Sequence, residues 1–440
     1  MIHHEPDITV ALLQQTLTAS FNLAGAYMLP DGRFVTGELT ARAAEGRMVL
    51  GDPSGHIIGP APVLSLTPAD PAQACFTLQN VRIGIQFHWQ RSQTQTFRGG
   101  IILSASDNGS FFVFNVIALE DYLASVIASE MSAEAPFEFL KAQAVTARSW
   151  LVSMLEKKKA PRAPQTRQSD EICVWQDVND HDGFDVCADD HCQRYQGITN
   201  IISGNVARAM EATRGEFLVD RDTICDARYS KCCGGQTEIF STAWENASYP
   251  WLACIPDHSA ACAPVASEED AARWLGSRPA AYCNTSDPEI LRRILPSFDL
   301  ETLHFYRWRV AYDREELEDI LHRKSGIDFG GLQHIIPLQR GPSGRIFRLR
   351  IVGEKRDVIV GKELEIRRWL SESHLLSSAF IVVLEHDAEG NIKRFILHGG
   401  GWGHGVGLCQ IGAAVMAVKG FTAEHILAHY FPGAQLRKLY

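Results

Sequence analysis

The chain has 440 residues, 45% hydrophobic and 21% charged, a balance typical of two or three globular domains rather than of a disordered chain. A net charge of -10 and a pI near 5.9, without any Lys- or Arg-rich run to supply phosphate contacts, argue against a nucleic-acid partner. No stretch approaches 18 uninterrupted apolar residues, so no transmembrane segment is expected, and the first residues do not have the pattern of a signal peptide.

The cysteines are unevenly distributed. Nine of the eleven lie between residues 173 and 283. An odd total excludes complete pairing within one chain, so at least one thiol is free, intermolecular or bound to a metal. The clustering favours a local metal site or a local patch of disulfides, and either alternative is open to Cys173, Cys232 and Cys233.

The N-terminal part of the chain has a β-rich pattern. Between residues 7 and 115, short apolar or alternating runs such as ITVALL, RFVTGELTA, VRIGIQFHW and FFVFNVIAL are separated by the turn signals DG, DPSG and DNGS. These runs predict the strands of a small barrel or sandwich. We expect this region to act as a scaffold, because fold alone does not establish a function, with a carbohydrate-facing module as the alternative.

Two helical patterns follow, with an acidic residue between them. Leu119–Ser129 carries apolar residues at three- and four-residue spacing, and a second pattern begins after Pro136, where proline suits the first turn of a helix. Glu130 therefore lies at a helix end, where its side chain faces either a cleft or solvent. Composition alone favours the solvated alternative.

A polar segment rich in Asp, Cys and His occupies residues 161–200. Within it, His181, Cys187, His191 and Cys192 offer two imidazoles and two thiolates, a set that suits a tetrahedral zinc ion. The spacing is not the paired CxxC of a zinc ribbon, so a reduced cysteine cluster or disulfides remain alternatives. A zinc ion held by all four residues has no open position and is structural.

Mixed patterns continue toward the C-terminus. They predict a helix around Ile202–Ala212, a strand at GEFLVD, a tight turn at CCGG, and the charged helix REELEDILHRK between further strands. Residues 254–340 carry no recognisable motif and are interpreted as an insertion or accessory subdomain.

The last dense motif is GGGWGHGVG, in which Trp402 and His404 lie among six glycines. Glycine at this density indicates positive φ angles or close approach of the backbone to another surface. The motif matches neither the dinucleotide fingerprint nor a phosphate-binding loop. An aromatic face beside an imidazole suits a sugar ring, although a structural histidine bonded to backbone is an equal alternative for His404.

Together these stretches resemble one family, stage II sporulation protein D (SpoIID)/LytB. The resemblance rests on VIASEM followed by APFEFLKAQAVTARSW, on the preceding FFVFNVIALEDYL, on CGGQTE with Trp244 after it, and on GWGHGVGLCQIGAAVMAVKG with ILAHYF. The motifs follow the family's order. They cover most of residues 95–250 and 340–437.

The patterns along the chain, together with the resemblance, predict an α+β protein. Its β-rich N-terminal region would span residues 1–95. A mixed α/β catalytic core, with a helical pair carrying the acid and a Cys/His loop, would comprise residues 96–253 and 341–440. The family's catalytic glutamate corresponds to Glu130, and a zinc pattern known in some members is similar to the Cys/His set above. The expected substrate-binding residues are Gln143, Arg148, Tyr229, Trp402, His404 and Gln410. A scaffold role is the alternative for Gln143, Arg148, Tyr229 and His404, and for Arg148 that role is a structural ion pair.

The implied activity is cleavage of peptidoglycan glycan strands by lytic transglycosylation. One carboxyl group suffices, because the sugar's own C6 hydroxyl attacks and forms a 1,6-anhydro ring, whereas ordinary glycosidases need two carboxylates. The alternatives are a non-catalytic, peptidoglycan-binding activator of a cell-wall amidase and a zinc-stabilised scaffold without activity. The family implies a location in the cell envelope.

Overall fold

The computed structural model describes residues 2–85, 90–158, 163–176, 181–260, 263–265 and 267–440. The chain forms two compact units. Unit 1 comprises Met1–Glu134, His181–Glu216 and Lys438–Tyr440, and unit 2 comprises Ala135–Asp180 and Phe217–Arg437. The domain boundaries expected from the sequence, after residues 95, 253 and 340, remain predictions.

Ten strands come first in the chain, and helices and strands are mixed after them. The strands are β1 (Asp7–Thr16), β2 (Thr18–Met28), β3 (Phe34–Ala44), β4 (Arg47–Gly51), β5 (Ile57–Ala61), β6 (Val63–Pro68), β7 (Cys75–Ile83), β8 (Arg91–Phe97), β9 (Gly100–Ala105), β10 (Phe111–Ala118), β11 (Thr166–Arg167), β12 (Glu171–Cys173), β13 (Val186–Cys187), β14 (Glu216–Asp220), β15 (Thr223–Ile224), β16 (Tyr229–Ser230), β17 (Trp308–Asp313), β18 (Leu332–Arg340), β19 (Ile346–Gly353), β20 (Asp357–Gly361), β21 (Phe380–His386), β22 (Ile392–Gly399), β23 (Leu408–Cys409) and β24 (Gln435–Lys438). The helices are α1 (Leu119–Glu130), α2 (Phe137–Lys157), α3 (Gly204–Ala212), α4 (Phe240–Ala243), α5 (Glu268–Gly276), α6 (Pro288–Ile294), α7 (Arg314–Ser325), α8 (Glu363–Trp369), α9 (Gln410–Val418) and α10 (Ala423–Tyr430).

Unit 1 is built on one large sheet with the order β13-β1-β10-β9-β6-β2-β3-β4-β5, to which β7 and β8 are added beside β2. Strand β2 shows why the chain pairs this way: Ala19, Phe21 and Leu23 are buried while the residues between them are exposed. The β-rich prediction is confirmed. In the described part of the chain the strand path stays open at β5 and β13 and closes no barrel.

One predicted strand differs from the structure. The apolar run over residues 81–89 predicts a single strand, whereas the structure has β7, which ends at Ile83, and the polar strand β8. Residues 86–89 lie outside the described residues. The sequence RSQTQTF of β8 alternates in burial although it is mostly polar, so hydropathy alone does not reveal it.

Helix α1 follows β10 without an intervening loop and provides the helical face of unit 1. Tyr122, Leu123, Val126 and Ile127 are fully buried, as the three- and four-residue spacing predicts. Its first turn carries acidic residues, which the positive end of the helix dipole favours. The helix ends at Glu130, the position expected from the sequence.

Unit 2 contains the long helix α2 and several sheets, two of which, mostly antiparallel, pack on its main apolar core. Helix α2 begins directly after Pro136, which is its N-cap, and is buried over most of its length. The strands form the orders β11-β12-β20-β19-β18 and β17-β22-β21. Around them lies an apolar core that includes Leu321, Ile351, Trp369 and Leu397.

The α+β class is confirmed, since helices and mostly antiparallel sheets occur in both units. Among the described residues, no helix has the length and apolar character needed to cross a membrane.

Candidate functional site

Glu130 is a buried carboxylate at the last position of α1. Its side chain is 8% exposed, so the solvated alternative considered for this residue does not apply. The backbone N–H of Arg194 donates a hydrogen bond to Glu130 Oε1 over 3.2 Å. This contact fixes the direction of the carboxyl group from a segment 64 residues farther along the chain.

The segment that reaches Glu130 is tied to unit 1 at several points. Arg194 Nε donates to Asp190 Oδ1 over 2.7 Å, and the backbone N–H of Gln196 donates to the Ser125 hydroxyl in α1 over 3.1 Å. Upstream, the carboxylate of Asp189 accepts the backbone N–H groups of Gly84 and Ile85 at 3.0 and 2.8 Å. Burial raises the pKa of Asp190 to about 7 although Arg194 opposes the shift.

The structure brings together the four residues predicted to bind zinc. The ligand atoms of His181, Cys187, His191 and Cys192 all lie within 4.8 Å of one another. His181 Nε2 is 3.1 Å and His191 Nδ1 is 3.4 Å from Cys192 Sγ. A tetrahedral zinc ion bound to nitrogen and sulfur separates its ligands by about 3.5 Å, so the donor set and its spacing fit this metal.

The groups around Cys187 favour the thiolate form of this residue. Hydrogen bonding with Cys192 lowers the pKa of Cys187 well below its usual range despite burial, and His181 and His191 contribute in the same direction. A thiolate is the form of cysteine that binds metals. Strand β13, which contains Cys187, pairs in parallel with β1 and anchors the cluster to the large sheet.

Sequence reasoning did not identify the tyrosine pair beside this region. Tyr122 and Tyr195 stack with ring centroids 5.0 Å apart. Burial raises the pKa of Tyr122 well above its ordinary value, with contributions from Cys192 and Glu130. The helical spacing of α1 indicates that Tyr122 is buried, but Tyr195 lies in a loop without periodicity and no sequence signal connects the two.

In unit 2 the glycine-rich loop lies against a buried arginine. Arg345 Nε donates to the carbonyl of Gly403 over 3.0 Å. Gly405 has φ +76°, and a Cβ there would lie 2.4 Å from the guanidinium carbon of Arg345. Positive φ and close approach together explain the glycine at this position, as the composition predicts. The same arginine donates to the Cys233 carbonyl over 3.0 Å.

Trp402 and His404 have different surroundings. Trp402 is buried, and its backbone forms an antiparallel bridge with Cys232. His404 Nδ1 accepts the Val406 N–H over 3.0 Å, and its ring contacts Trp244 edge-on at 4.8 Å. Burial lowers the pKa of His404 well below its usual value, and the cations Arg228 and Arg345 add to this shift. His404 is therefore a neutral imidazole with a backbone partner, which fits the structural alternative.

The other predicted substrate-binding residues lie in unit 2 as well. Gln143 and Arg148 are fully buried in α2, and Arg148 lies 6.0 Å from the ring of Phe217. Neither side-chain atom of the Gln143 amide has a hydrogen-bond partner in the described part of the chain, and the Gln410 amide nitrogen also lacks one there. Tyr229 lies in β16, which pairs in parallel with β23 next to Gln410. Such orphaned buried amides are expected where water or a ligand supplies the missing partner.

A pocket of about 530 Å³ in unit 2 contains none of the predicted residues. Its lining includes His304, Arg307, Arg309, Leu376 and His398. We therefore base no function on it.

Parts of the chain are similar to known protein families and to individual proteins. Residues 107–219 match the Stage II sporulation protein (SpoIID) family, and residues 238–407 match a domain of unknown function, DUF8618. Stage II sporulation protein D of Bacillus amyloliquefaciens is 23% identical over 321 residues, which cover 73% of this chain and 74% of that protein. An uncharacterized protein of Brachyspira hyodysenteriae is 24% identical over 430 residues, 98% of this chain and 92% of its own.

A third relative is the amidase enhancer of Bacillus subtilis. It is 23% identical over 327 residues, which cover 71% of this chain and 40% of the enhancer. The SpoIID match includes Glu130 and the Cys/His cluster. The motifs, the match over residues 107–219 and these relatives all support the SpoIID/LytB family, at 23% identity to the sporulation protein and to the amidase enhancer.

Proposed function

We propose that this protein cleaves peptidoglycan glycan strands by lytic transglycosylation, with Glu130 as both acid and base. The observation that carries the proposal is the buried carboxyl group of Glu130 at the end of α1, oriented by the backbone N–H of Arg194, inside the SpoIID-matched range. A lytic transglycosylase needs one such group, whereas a hydrolase needs a second carboxylate to handle water or to act as nucleophile.

The reaction has two proton transfers. Protonated Glu130 donates its proton to the glycosidic oxygen, and the bond between that oxygen and C1 of the sugar breaks. The C6 hydroxyl of the same sugar attacks C1, and the carboxylate of Glu130 accepts the hydroxyl proton. The products are a strand with a free hydroxyl and a strand with a 1,6-anhydro end. No water is consumed, and Glu130 returns to its protonated state.

The Cys/His cluster would hold a structural zinc ion. Its four residues, His181, Cys187, His191 and Cys192, fill a tetrahedral shell, and zinc with four protein ligands supplies rigidity rather than reactivity. Arg194 follows the last of these ligands by two residues. A fixed cluster therefore fixes the N–H group that orients Glu130.

The residues proposed to bind the glycan are Gln143, Arg148, Tyr229, Trp402 and Gln410, and His404 positions the loop that carries Trp402. The unpaired amide groups of Gln143 and Gln410 support a role in hydrogen bonding to sugar hydroxyls. The tryptophan ring offers an apolar face, and the neutral His404 acts by positioning the loop rather than by proton transfer.

Activation of a cell-wall amidase is the second candidate function. It is favoured by one observation, the similarity over 71% of this chain to a protein named amidase enhancer. In that role the protein would bind peptidoglycan and stimulate a partner without cleaving the strand itself.

One experiment separates the two candidates. Purified protein is incubated with peptide-free glycan strands, and the products are examined by mass spectrometry for anhydromuramic-acid ends. We expect such ends with the wild type and a loss of about 100-fold or more in Glu130→Gln, the range for removal of a general acid. Glu134→Gln makes the same change at an exposed position nearby and should retain activity.

Two outcomes would count against lytic cleavage. If glycan strands stay intact with both the wild type and Glu130→Gln, and the activity of an added amidase rises, the enhancer function would replace lytic cleavage as the proposal. Hydrolytic ends without the anhydro ring would show that water, not the C6 hydroxyl, is the nucleophile.

A further inference from the structure

Unit 2 contains a second cluster of potential metal ligands that the sequence did not reveal. Cys233, Asp257, Cys283 and Cys409 each direct one ligand atom into a common volume, and these four atoms lie within 4.8 Å of one another. All four residues are buried. They come from distant positions, so no spacing motif connects them.

The distances within this cluster fit a tetrahedral thiolate site. Cys233 Sγ and Cys283 Sγ are 3.7 Å apart. Two thiolates bound to one zinc ion at about 2.3 Å lie about 3.8 Å apart, whereas the sulfur atoms of a disulfide lie about 2.05 Å apart. The sulfur separation therefore suits a shared metal ion better than a covalent bond.

Neighbouring groups hold the ligands in place, as groups around a metal site do. The backbone N–H of Cys283 donates to Asp257 Oδ2 over 2.7 Å, and the Tyr430 hydroxyl donates to Asp257 Oδ1. The backbone N–H of Cys233 donates to Cys409 Sγ over 3.2 Å. Hydrogen bonds of this kind orient ligating carboxylates and stabilise negative charge on sulfur.

Burial disfavours the charged, metal-binding forms of these groups unless a cation is present. Three thiols and a carboxyl group share one space from which water is excluded, and the buried thiol of Cys232 contacts Cys283 and Cys409 beside them. Burying such groups in their charged forms is expensive unless hydrogen bonds or a metal ion offset the charge. A divalent cation removes this cost, and three thiolates select a soft metal.

We infer that Cys233, Asp257, Cys283 and Cys409 form a second, structural zinc site, separate from the Cys/His cluster of unit 1. Four protein ligands leave no open position, so the metal acts as a cross-link. The inference concerns metal binding alone and stands whether or not the protein cleaves glycan strands.

The proposed site joins segments that carry the candidate substrate-binding residues of unit 2. Cys233 follows Cys232, whose backbone pairs with that of Trp402. Cys409 directly precedes Gln410, and the N–H of Ile411 donates to the carbonyl of Lys231 over 3.1 Å. A metal ion at this point would fix the CCGG turn, the glycine-rich loop and the start of α9 relative to one another.

Zinc content of the full-length protein tests the inference. The chain is purified without chelators and its zinc is measured by inductively coupled plasma mass spectrometry. We expect about two zinc ions per chain, one for each cluster. Cys283→Ser and Asp257→Asn should each lose about one equivalent, and Cys192→Ser should lose the other. Cys225→Ser removes a buried thiol of unit 2 outside the cluster and should retain both.

Two further measurements do not depend on the folding of a variant. In wild-type protein substituted with cobalt, the intensity of the thiolate-to-cobalt absorption should correspond to five thiolates in all, two in unit 1 and three in unit 2. Alkylation after denaturation with a chelator but without a reductant should label Cys233, Cys283 and Cys409 completely. A wild type with a single zinc ion, lost in Cys192→Ser, would overturn the inference. A disulfide between Cys233 and Cys283, or full zinc in Asp257→Asn, would overturn the assigned ligand set.

Discussion

At the scale of single residues, Tyr122 and Tyr195 share one stacked pair but differ in their hydroxyl groups. The Tyr195 hydroxyl donates to Asn115 Oδ1 over 2.5 Å, whereas the Tyr122 hydroxyl has no hydrogen-bond partner in the described part of the chain. Tyr195→Phe leaves a buried acceptor without its donor, so we expect it to lower the free energy of unfolding by about 1–3 kcal/mol. Tyr122→Phe removes an unpaired group and should cost less. Urea denaturation of both variants measures the difference, and equal losses would contradict it.

His404 gives a second prediction, on the pH dependence of stability. Burial and the neighbouring cations lower the pKa of His404 in the folded protein well below its ordinary value of 6.5. Below about pH 6.5 the unfolded chain therefore binds a proton at this histidine that the folded chain does not bind. The stability contribution of His404 is fully present above that pH and is lost as the pH falls toward the folded-state pKa.

The measurement compares wild type with His404→Gln between pH 5 and pH 8. A glutamine offers an acceptor for the Val406 N–H but has no proton to take up in this range. The free energy of unfolding of the variant should therefore fall less steeply with acidification than that of the wild type. Parallel curves would mean that His404 is protonated in the folded protein.

At the scale of elements, the loop that contains the Cys/His cluster should control Glu130 without touching the substrate. Cys192 lies two residues before Arg194, whose N–H orients the carboxyl group. We expect Cys192→Ser to lose zinc from unit 1 and to reduce strand cleavage, because the freed loop no longer holds this N–H group in place.

If the Cys/His cluster only positions Glu130, its loss should change kcat and leave KM unchanged. In Cys192→Ser the KM for glycan strands should stay close to the wild-type value while kcat falls, since the proposed sugar contacts lie elsewhere. Cys75→Ser, in β7 of the same unit, is the matched control because Cys75 belongs to neither metal cluster. Unchanged kcat in a zinc-free Cys192→Ser would remove the cluster from any role in orienting Glu130.

Local patterns explain how much of the fold the sequence predicts. The periodicity of Leu119–Ser129 and the proline at position 136 predict α1 and α2 almost to the residue. The charged run REELEDILHRK predicts α7, whose left-handed C-cap is Gly326. In each case the signal lies within one helix, where apolar spacing, caps and proline act on neighbouring residues.

The features that the sequence does not predict depend on contacts between residues that are far apart in the chain. The hydrogen bond from Arg194 to Glu130 joins residues 64 positions apart, and no local sequence pattern indicates it. The CxxxHC part of the Cys/His cluster is recognisable because its ligands are close in sequence. Residues 254–340 showed no motif, yet Cys283 belongs to the second cluster, whose members converge only after folding.

For the whole molecule, each unit contains one cluster of potential metal ligands among the described residues. The SpoIID match over residues 107–219 includes parts of both units, whereas the DUF8618 match over residues 238–407 lies within unit 2. The predicted acid thus belongs to one unit, and the predicted sugar-binding residues belong to the other. Two separate cross-links would stabilise the segments that carry these two groups.

If each metal ion cross-links only its own unit, removing one ion should destabilise only the segments that this ion joins. In hydrogen–deuterium exchange, Cys192→Ser should raise exchange over residues 185–200 of unit 1, and Cys283→Ser should raise it over residues 230–235 and 408–412 of unit 2. A bound metal stabilises the folded state by its binding free energy, and this stabilisation acts most directly on the segments that the metal joins. When the metal is lost, those segments should open before the rest of the unit. Cys225→Ser should leave both regions protected. If the two cysteine variants lost protection in the same segments, the clusters would not act as independent cross-links, and at most one metal ion would stabilise the chain.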